Sequence, residues 1–331
     1  MPLLKRKSTV SAKIQSNATT AATLTAADAN LLVTDATYDS EAELHERMVS
    51  NKSFARNNSI RGKNLARITF STEVVGSGTA QTPATWGTLM AACGFSETVN
   101  GTTSVDYLPV TMPNNYNSNK STGEISLTMA VNLNGLQYKI KNAKGSFSLN
   151  ANAGEIATFD WEFLGQALDP SDVAYPALHS SANTANPPIV ESGTFEFQGN
   201  VGGFIVSNIS ISCGNNLSSR DNVSSDDGVQ EIMITDRAVT GSIDPEEILV
   251  ANGASPVMVK RFTDGTVGSF DLTIGSTGGN KLRIETPADY VQVTSASGAD
   301  REGVATNSID LGFFVPNAED ATVPEIKIRH M

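Results

Sequence analysis

The sequence predicts a mainly β chain organised as two tandem domains, each carrying one short α-helix. Three observations predict it. Most apolar residues alternate with period two, the mark of strands with one buried and one wet face. Only two segments have helical spacing and helix-end residues. The order of strands and helix in the first half recurs in the second, as a tandem duplication would leave it. At 331 residues, 39% hydrophobic and 18% charged, the chain is long enough for two domains, each with a core of its own.

Along the chain, "EISLTMAV" places Ile125, Leu127, Met129 and Val131 on one face and Ser126 and Thr128 on the other. "IATFDWEFL" does the same with Ala157, Phe159, Trp161 and Phe163 against Thr158, Asp160 and Glu162. "ISISC", "GSFDLTIG" and "VATNSIDLG" repeat the pattern in the second half. Gly, Asn, Asp and Ser clusters such as "NLNG", "NANAG" and "STGGN" separate the runs. The bulk is antiparallel β.

The first helix is expected in "TPATWGTLMAACGF". Pro83 suits the first helical position, and Trp86, Leu89, Met90 and Cys93 share one face. Gly94 supplies a left-handed end, and Phe95 packs back on the last turn. The second helix is expected in "DPEEILVANG", with Asp244 and Glu247 at capping-box spacing and Gly253 after the end.

The flanks of the helices match as well. Arg56 and Asn58 answer Arg220 and Asn222, and Ile68-Thr69 answers Ile234-Thr235. "GEISLTMA" answers "GSFDLTIG", "YKI" (138–140) answers "LRI" (282–284), and Phe147 and Leu149 answer Val291 and Val293. Trp161, Glu162 and Phe163 answer Ile309, Asp310 and Leu311. The layout that follows is an N-terminal arm and leading segment (1–44) and a first domain (45–170) with a long polar insertion (96–122). A Pro/Ser/Asn-rich linker (171–188), a second domain (189–318) and a C-terminal tail (319–331) complete it.

The net charge of −12 repels polyanions and counts against a protein that grips nucleic acid by its phosphates. Two cysteines, Cys93 and Cys213, are too few for a disulfide framework and read as reduced core residues. "MPLLKRKSTV" has basic residues with no apolar run after them, so the chain is expected to fold in the cytoplasm. No run of residues is apolar enough to insert in a membrane.

Catalytic and metal motifs do not hold together. His45, His179 and His330 have no second His or Cys at ligand spacing. "DNVSSDDG" places Val223 where a calcium loop needs a carboxylate. "GSTGGNK" has Asn280 where a phosphate loop needs its last glycine, and "VGSGTA" crowds its glycines too closely for a nucleophile elbow. No enzymatic activity and no cofactor are expected.

Three stretches resemble the major tail tube proteins of long-tailed, siphovirus-like bacteriophages. They are "GKNLARITFSTEVVGSGTAQTPATWGTLMAACGF" followed by "YLPV", "GNNLSSRDNVSSDDGVQEIMITDRAVTGSIDPEE" and "PADYVQVTSASGADREGVATNSIDLGFF". The resemblance covers most of 45–316. It implies tandem β-sandwich or split-barrel domains of the phage tail tube type, in a structural virion protein whose rings stack into the conduit for genome delivery. The implied partners are further copies of the chain, the tape measure, tail terminator and distal tail proteins, and passing DNA, with assembly in the host cytoplasm. The chain departs from the simplest members of that family in being doubled.

The resemblance implies rings of six like units, so the doubling predicts homotrimeric rings of pseudo-hexameric symmetry, since a head-to-tail contact between like units closes only when its rotation divides a full turn. Candidate lumen-facing residues are the acidic or polar Asp160, Glu162, Asp271, Asp310, Ser126, Thr128 and Thr273. Candidate contacts between rings are Lys5, Arg6 and Lys7 at one end and Lys327 and Arg329 at the other. The aromatic residues Tyr107 and Tyr116 of the insertion join them. The competing reading is a duplicated β-sandwich binding module, a virion decoration protein or adhesin. It would need exposed loop aromatics for stacking on sugars, and Trp86 and Trp161 both sit on apolar faces.

Overall fold

The computed structural model of the chain describes residues 8–17, 20–50, 54–110, 120, 125–174, 176, 185–191, 193–197, 200–201, 204–247, 258–316 and 324–331. The first half contains β1 (Ser8–Ile14), β2 (Val33–His45), β3 (Ile60–Glu73) and α1 (Gly87–Ala92). It continues with β4 (Phe95–Asn100), β5 (Ser104–Pro109), β6 (Leu127–Leu133), β7 (Leu136–Asn152) and β8 (Thr158–Asp172). The second half opens with β9 (Phe195–Phe197), β10 (Asn200–Val201), β11 (Asn208–Ser212), β12 (Asn215–Asp221), β13 (Val229–Arg237) and β14 (Thr240–Ile243). Then come α2 (Met258–Thr263), β15 (Val267–Gly268), β16 (Phe270–Ile274), β17 (Leu282–Glu285), β18 (Val291–Arg301), β19 (Val304–Phe313) and β20 (Lys327–His330).

Two sheets face each other as a β-sandwich. The larger runs β15-β18-β19-β14-β11-β7-β8-β3-β2, with β6 and then β1 added beside β7. The smaller runs β10-β9-β16-β17-β20-β5-β4. β12 and β13 form a separate hairpin. The order β7-β8-β3-β2 of the first half is matched by β18-β19-β14-β11 in the second, antiparallel throughout.

The halves are not separate bodies. β7 and β11 pair directly, with Ser148 opposite Ser212 and Asn152 opposite Asn208. β20, the last strand, lies between β17 of the second half and β5 of the first. One hydrophobic cluster therefore runs from Val10 to Ile328 through both sheets. The apolar faces of each half meet those of the other in this cluster.

The alternation read from sequence sets this core. Phe159, Trp161 and Phe163 of β8 are buried, as are Phe147 and Leu149 of β7 and Ile68 and Phe70 of β3. Phe147 packs edge-on against Phe159 at 5.8 Å and tilted against Trp161 at 5.5 Å between centroids, while Phe163 stacks on Phe70 at 6.1 Å and on Trp161 at 6.2 Å. Such pairs each add about 0.5–1.5 kcal/mol beyond burial. Trp161 donates its indole N–H to Thr72 Oγ1 at 2.8 Å and Trp86 to the Val75 carbonyl at 3.0 Å, so neither buried donor is orphaned.

Helix α1 forms within the expected segment but begins at Gly87, so Pro83 precedes the helix and does not open it; Leu89, Met90 and Cys93 are buried and Gly94 has φ 83°. The expected start of the second helix is corrected. Asp244 does not cap a helix; it accepts the backbone N–H groups of Ser207 and Asn208 at 2.8 and 2.7 Å. Glu246 makes a bridge to Thr306, and among the described residues the α-helix of this half is Met258–Thr263. Residues 248–257, including Gly253, lie outside the described residues. The insertion is also partly regular. Residues 95–109 form the β4–β5 hairpin, turning at Gly101 with φ 52°, while 111–119 and 121–124 lie outside the described residues.

Both cysteines are buried and free. Burial pushes the Cys93 thiol well above its usual value and Cys213 up to about 12, which leaves them protonated and unreactive.

Candidate functional site

The two sheets turn different polar faces outward, and these divide the residues singled out from the sequence. On the large sheet, β8 points Asp160 and Glu162 away from the core. Strand register carries this wet face sideways as a field of small polar residues. Asp160 lies opposite Ser71 and Ser148, Ser148 opposite Ser212, Ser210 opposite Ser242, and Ser242 opposite Asp310. Asp160 is held by Ser71 Oγ at 2.5 Å and Asn150 Nδ2 at 2.6 Å. Glu162 pairs with Arg67, whose Nε also reaches Glu41 Oε1 at 2.7 Å. That arginine is thus shared by two carboxylates. Asp310 is exposed.

The smaller sheet is different in kind. Asp271 receives Arg283 Nε at 3.0 Å, and Arg283 also reaches Glu285 Oε2 at 3.1 Å. Thr273 lies opposite Arg283. In the next strand, Lys327 reaches Asp106 Oδ2 at 2.8 Å and Glu285 Oε1 at 3.4 Å. Arg329 reaches Asp106 Oδ1 at 2.9 Å and Glu285 Oε1 at 3.2 Å. Burial alone would raise the Asp106 carboxyl, but the bonds from Arg329 and Lys327 outweigh it and hold it below the usual range. The result is an ion-pair lattice over β16, β17, β20 and β5 that joins the halves electrostatically.

Asp271 and Thr273 therefore do not share a face with Asp160, Glu162 and Asp310. Ser126 and Thr128, expected on a wet face, are buried at 1% and 0% exposure. β6 is covered on both sides, and Thr128 Oγ1 accepts the Ala22 N–H at 2.8 Å. Tyr107, read as a loop aromatic, belongs to β5. It is fully buried, 5.1 Å from Trp86 between ring centroids, and donates to Glu97 Oε2 at 3.2 Å. Burial first, then Glu97, pushes its hydroxyl pKa up. Lys5, Arg6, Lys7 and Tyr116 lie outside the described residues.

Two glycine-rich turns that fit no catalytic motif have a structural use. Gly78 N–H donates to the Gly279 carbonyl at 2.9 Å, and Gly76 N–H donates to Asn280 Oδ1 at 2.7 Å. A Cβ on Gly76 would lie 2.1 Å from Gly279 O, and one on Gly279, whose φ is +79°, would lie 2.3 Å from the Gly78 backbone. Only glycine permits this crossing. His330 seals it with a bond between Nε2 and Gly279 O at 3.0 Å. Burial lowers the His330 pKa, against the opposing effect of that bond.

Residues that sequence reasoning passes over are Asp106, Arg283, Glu285 and Arg67, and it considers His330 only as a metal ligand or catalytic base. Each of the first four sits at the polar phase of a period-two run ("SVDYLP", "LRIE", "LARITF"), which was the available signal.

Two hairpins also carry exposed ends. Near the β2–β3 turn, Leu44, Met48, Val49, Phe54 and Ile60 are all exposed. On the β12–β13 turn Val223 is fully exposed. Among the described residues no group of His, Cys, Asp and Glu is arranged to hold a metal ion, and no helix is long and apolar enough to cross a membrane.

The family model for phage tail tube protein matches residues 5–313 of the chain. No curated protein matches it.

Proposed function

The chain belongs to the phage tail tube protein family, a structural component of the virion, and from that premise we propose that three chains close into a pseudo-hexameric ring. Stacked rings would form the tube that conducts the genome into the host. The observation that carries this reading is the β7–β11 pairing, which makes the junction between two like strand sets part of every chain. A ring of such chains already contains half its junctions.

The large sheet supplies the lumen in this proposal. Its wet face offers Ser, Thr and Asn hydroxyls and amides with Asp160, Glu162 and Asp310, and the Arg67 guanidinium there is engaged by Glu41 and Glu162. Such a surface wets a channel and repels passing phosphates. The smaller sheet, with Arg283, Lys327 and Arg329 in its lattice, turns outward. Asp271 and Thr273 then lie on the tube exterior.

Contacts between rings are assigned to the exposed apolar end of the β2–β3 hairpin, with Lys5, Arg6, Lys7 and the segment bearing Tyr116 as further reaching elements. Five exposed apolar side chains on one hairpin invite a partner surface. Assembly in the host cytoplasm and contacts with tape measure, terminator and distal tail proteins complete the reading. Both tryptophans are buried, which deprives a sugar-binding module of its best stacking platforms.

Negative-stain microscopy with native mass measurement of the concentrated protein tests the proposal. Rings of three chains are expected, with tubes at high concentration. Rings of six chains, or a persistent monomer, would overturn it.

A further inference from the structure

We infer that the outer face of α2 is a docking surface for a segment of another protein that presents a carboxylate between apolar side chains, with Arg261 as its anchor. The inference goes beyond the ring proposed above and does not depend on it.

The two helices are counterparts that the chain finishes differently. Each is six residues long, and each is followed two positions later by a glycine of positive φ, Gly94 at 83° and Gly265 at 63°. That alignment sets Arg261 against Met90 and Phe262 against Ala91. Helix α1 is enclosed, with Leu89, Met90 and Ala91 all buried. The β4–β5 hairpin that follows it brings the Tyr107 hydroxyl and the Glu97 carboxylate directly over Gly87. After α2 the chain passes straight into β15 and β16, so no hairpin follows that helix to cover it. Val259 and Phe262, three residues apart on α2, and Val267 just past its end are exposed.

Arg261 gives this face its chemistry. The residue is 5% exposed, its guanidinium carbon lies 5.9 Å from the centre of the Phe197 ring, and its Nε–H is buried without an acceptor. The nearest acid in sequence, Asp264, is taken by Lys260. Burial alone lowers the Arg261 pKa, with no acidic group opposing it. A cation withdrawn from water with a donor left unbonded costs stability, and Met90 fills the matching place in α1 without one. The fold therefore gives no reason for a guanidinium here. Its complement is a carboxylate, and the exposed Val259 and Phe262 require that carboxylate to arrive with apolar neighbours.

Arg261→Met gives α2 the side chain that α1 carries, which separates the anchor from the fold. This variant of the full chain should melt no lower than the native protein. Fluorescein-labelled peptides of the pattern Leu-Phe-Glu-Phe-Leu, and the same peptides with Gln in place of Glu, are titrated into the native chain and followed by anisotropy. The Glu form should bind at least about tenfold more tightly than the Gln form, as loss of a charged hydrogen bond implies. Arg261→Met should abolish that preference, and Phe262→Ser should weaken the binding of both forms. Equal binding of the two forms, binding of neither, or a preference that survives Arg261→Met would overturn the inference. A lower melting temperature in Arg261→Met would overturn it too, by giving the guanidinium a role in the fold. Should Arg261→Met change the number of chains in the native assembly or stop tubes from forming, the occupant is a second copy and the foreign partner is excluded.

Discussion

The indole of Trp86 meets the imidazole of His330 edge-on, with ring centroids 6.4 Å apart, so the penultimate residue of the chain completes the aromatic core of the first half. Trp86 also lies 5.4 Å from Phe159 of the large sheet and 5.1 Å from Tyr107 of the smaller one. One side chain thereby contacts both layers and both halves.

Replacing that side chain should be costly. Trp86→Ala leaves a cavity at the meeting point and is expected to lower stability by about 3–5 kcal/mol, read as a fall in denaturation midpoint. Because the core is shared, a single transition covering both halves is expected. Two separated transitions would contradict a common core.

Acid should weaken the same seam. Burial holds the His330 pKa below its usual value of about 6.5, so the folded chain keeps the ring neutral while the unfolded chain protonates it. The stability gained is complete above about pH 6.5 and is lost as pH falls through the lower folded value. Asp106 and Asp244 have depressed pKa values, and their contributions fade only at more acidic pH, below the usual carboxylate range. The melting temperature should therefore drop between pH 7 and 5 in the native chain. In His330→Gln that early drop should be reduced.

Asp106 holds two cations from the last strand. Asp106→Asn should destabilise the chain by roughly 3 kcal/mol, since Arg329 and Lys327 lose their shared carboxylate in a partly buried setting. Adding Lys327→Ala and Arg329→Ala to Asp106→Asn should cost less than the sum of the separate changes, measured by a mutant cycle in urea.

Charge reversal on the wet face of the large sheet tests the proposed lumen. Asp310→Lys and Glu162→Lys should leave ring formation intact and slow genome release by about tenfold or more, since phosphates would now be attracted to the wall. Asp271→Lys on the opposite sheet should not slow release. Equal effects on both sheets would remove the assignment of faces.

Ring stacking should depend on the β2–β3 hairpin. Met48→Ser with Phe54→Ser is expected to leave rings and abolish long tubes, seen directly by microscopy. Deleting 110–120, much of which lies outside the described residues, is expected to do the same if the insertion is a second stacking element.

Much of the fold was legible in local patterns. The period-two runs of β3, β7, β8 and β19 located strands and their inner residues, and Gly94 located the end of α1. What failed was non-local. Alternation over 125–131 signalled one wet face, yet Ser126 and Thr128 are buried, and the Ala22 N–H from the segment after β1 bonds Thr128 Oγ1. The spacing of Asp244 and Glu247 resembled a helix cap, but the Asp244 carboxylate instead binds Ser207, Asn208 and Arg301. The match of Ile68-Thr69 with Ile234-Thr235 falls on the wrong strand, because register makes Gly241-Ser242 of β14 their counterparts. Asp160, Glu162 and Asp310 were found together on one face, whereas the lattice around Asp106 was not found, because its members come from four strands distant in sequence.

Joining two like units through β7 and β11 also fixes the parity of anything they build. A closed circle of these chains always contains an even number of units, so an odd-membered circle is forbidden by covalent connection rather than disfavoured by energy. Errors of one unit, which a single-unit protein must avoid through the angle of its contacts alone, are unavailable here.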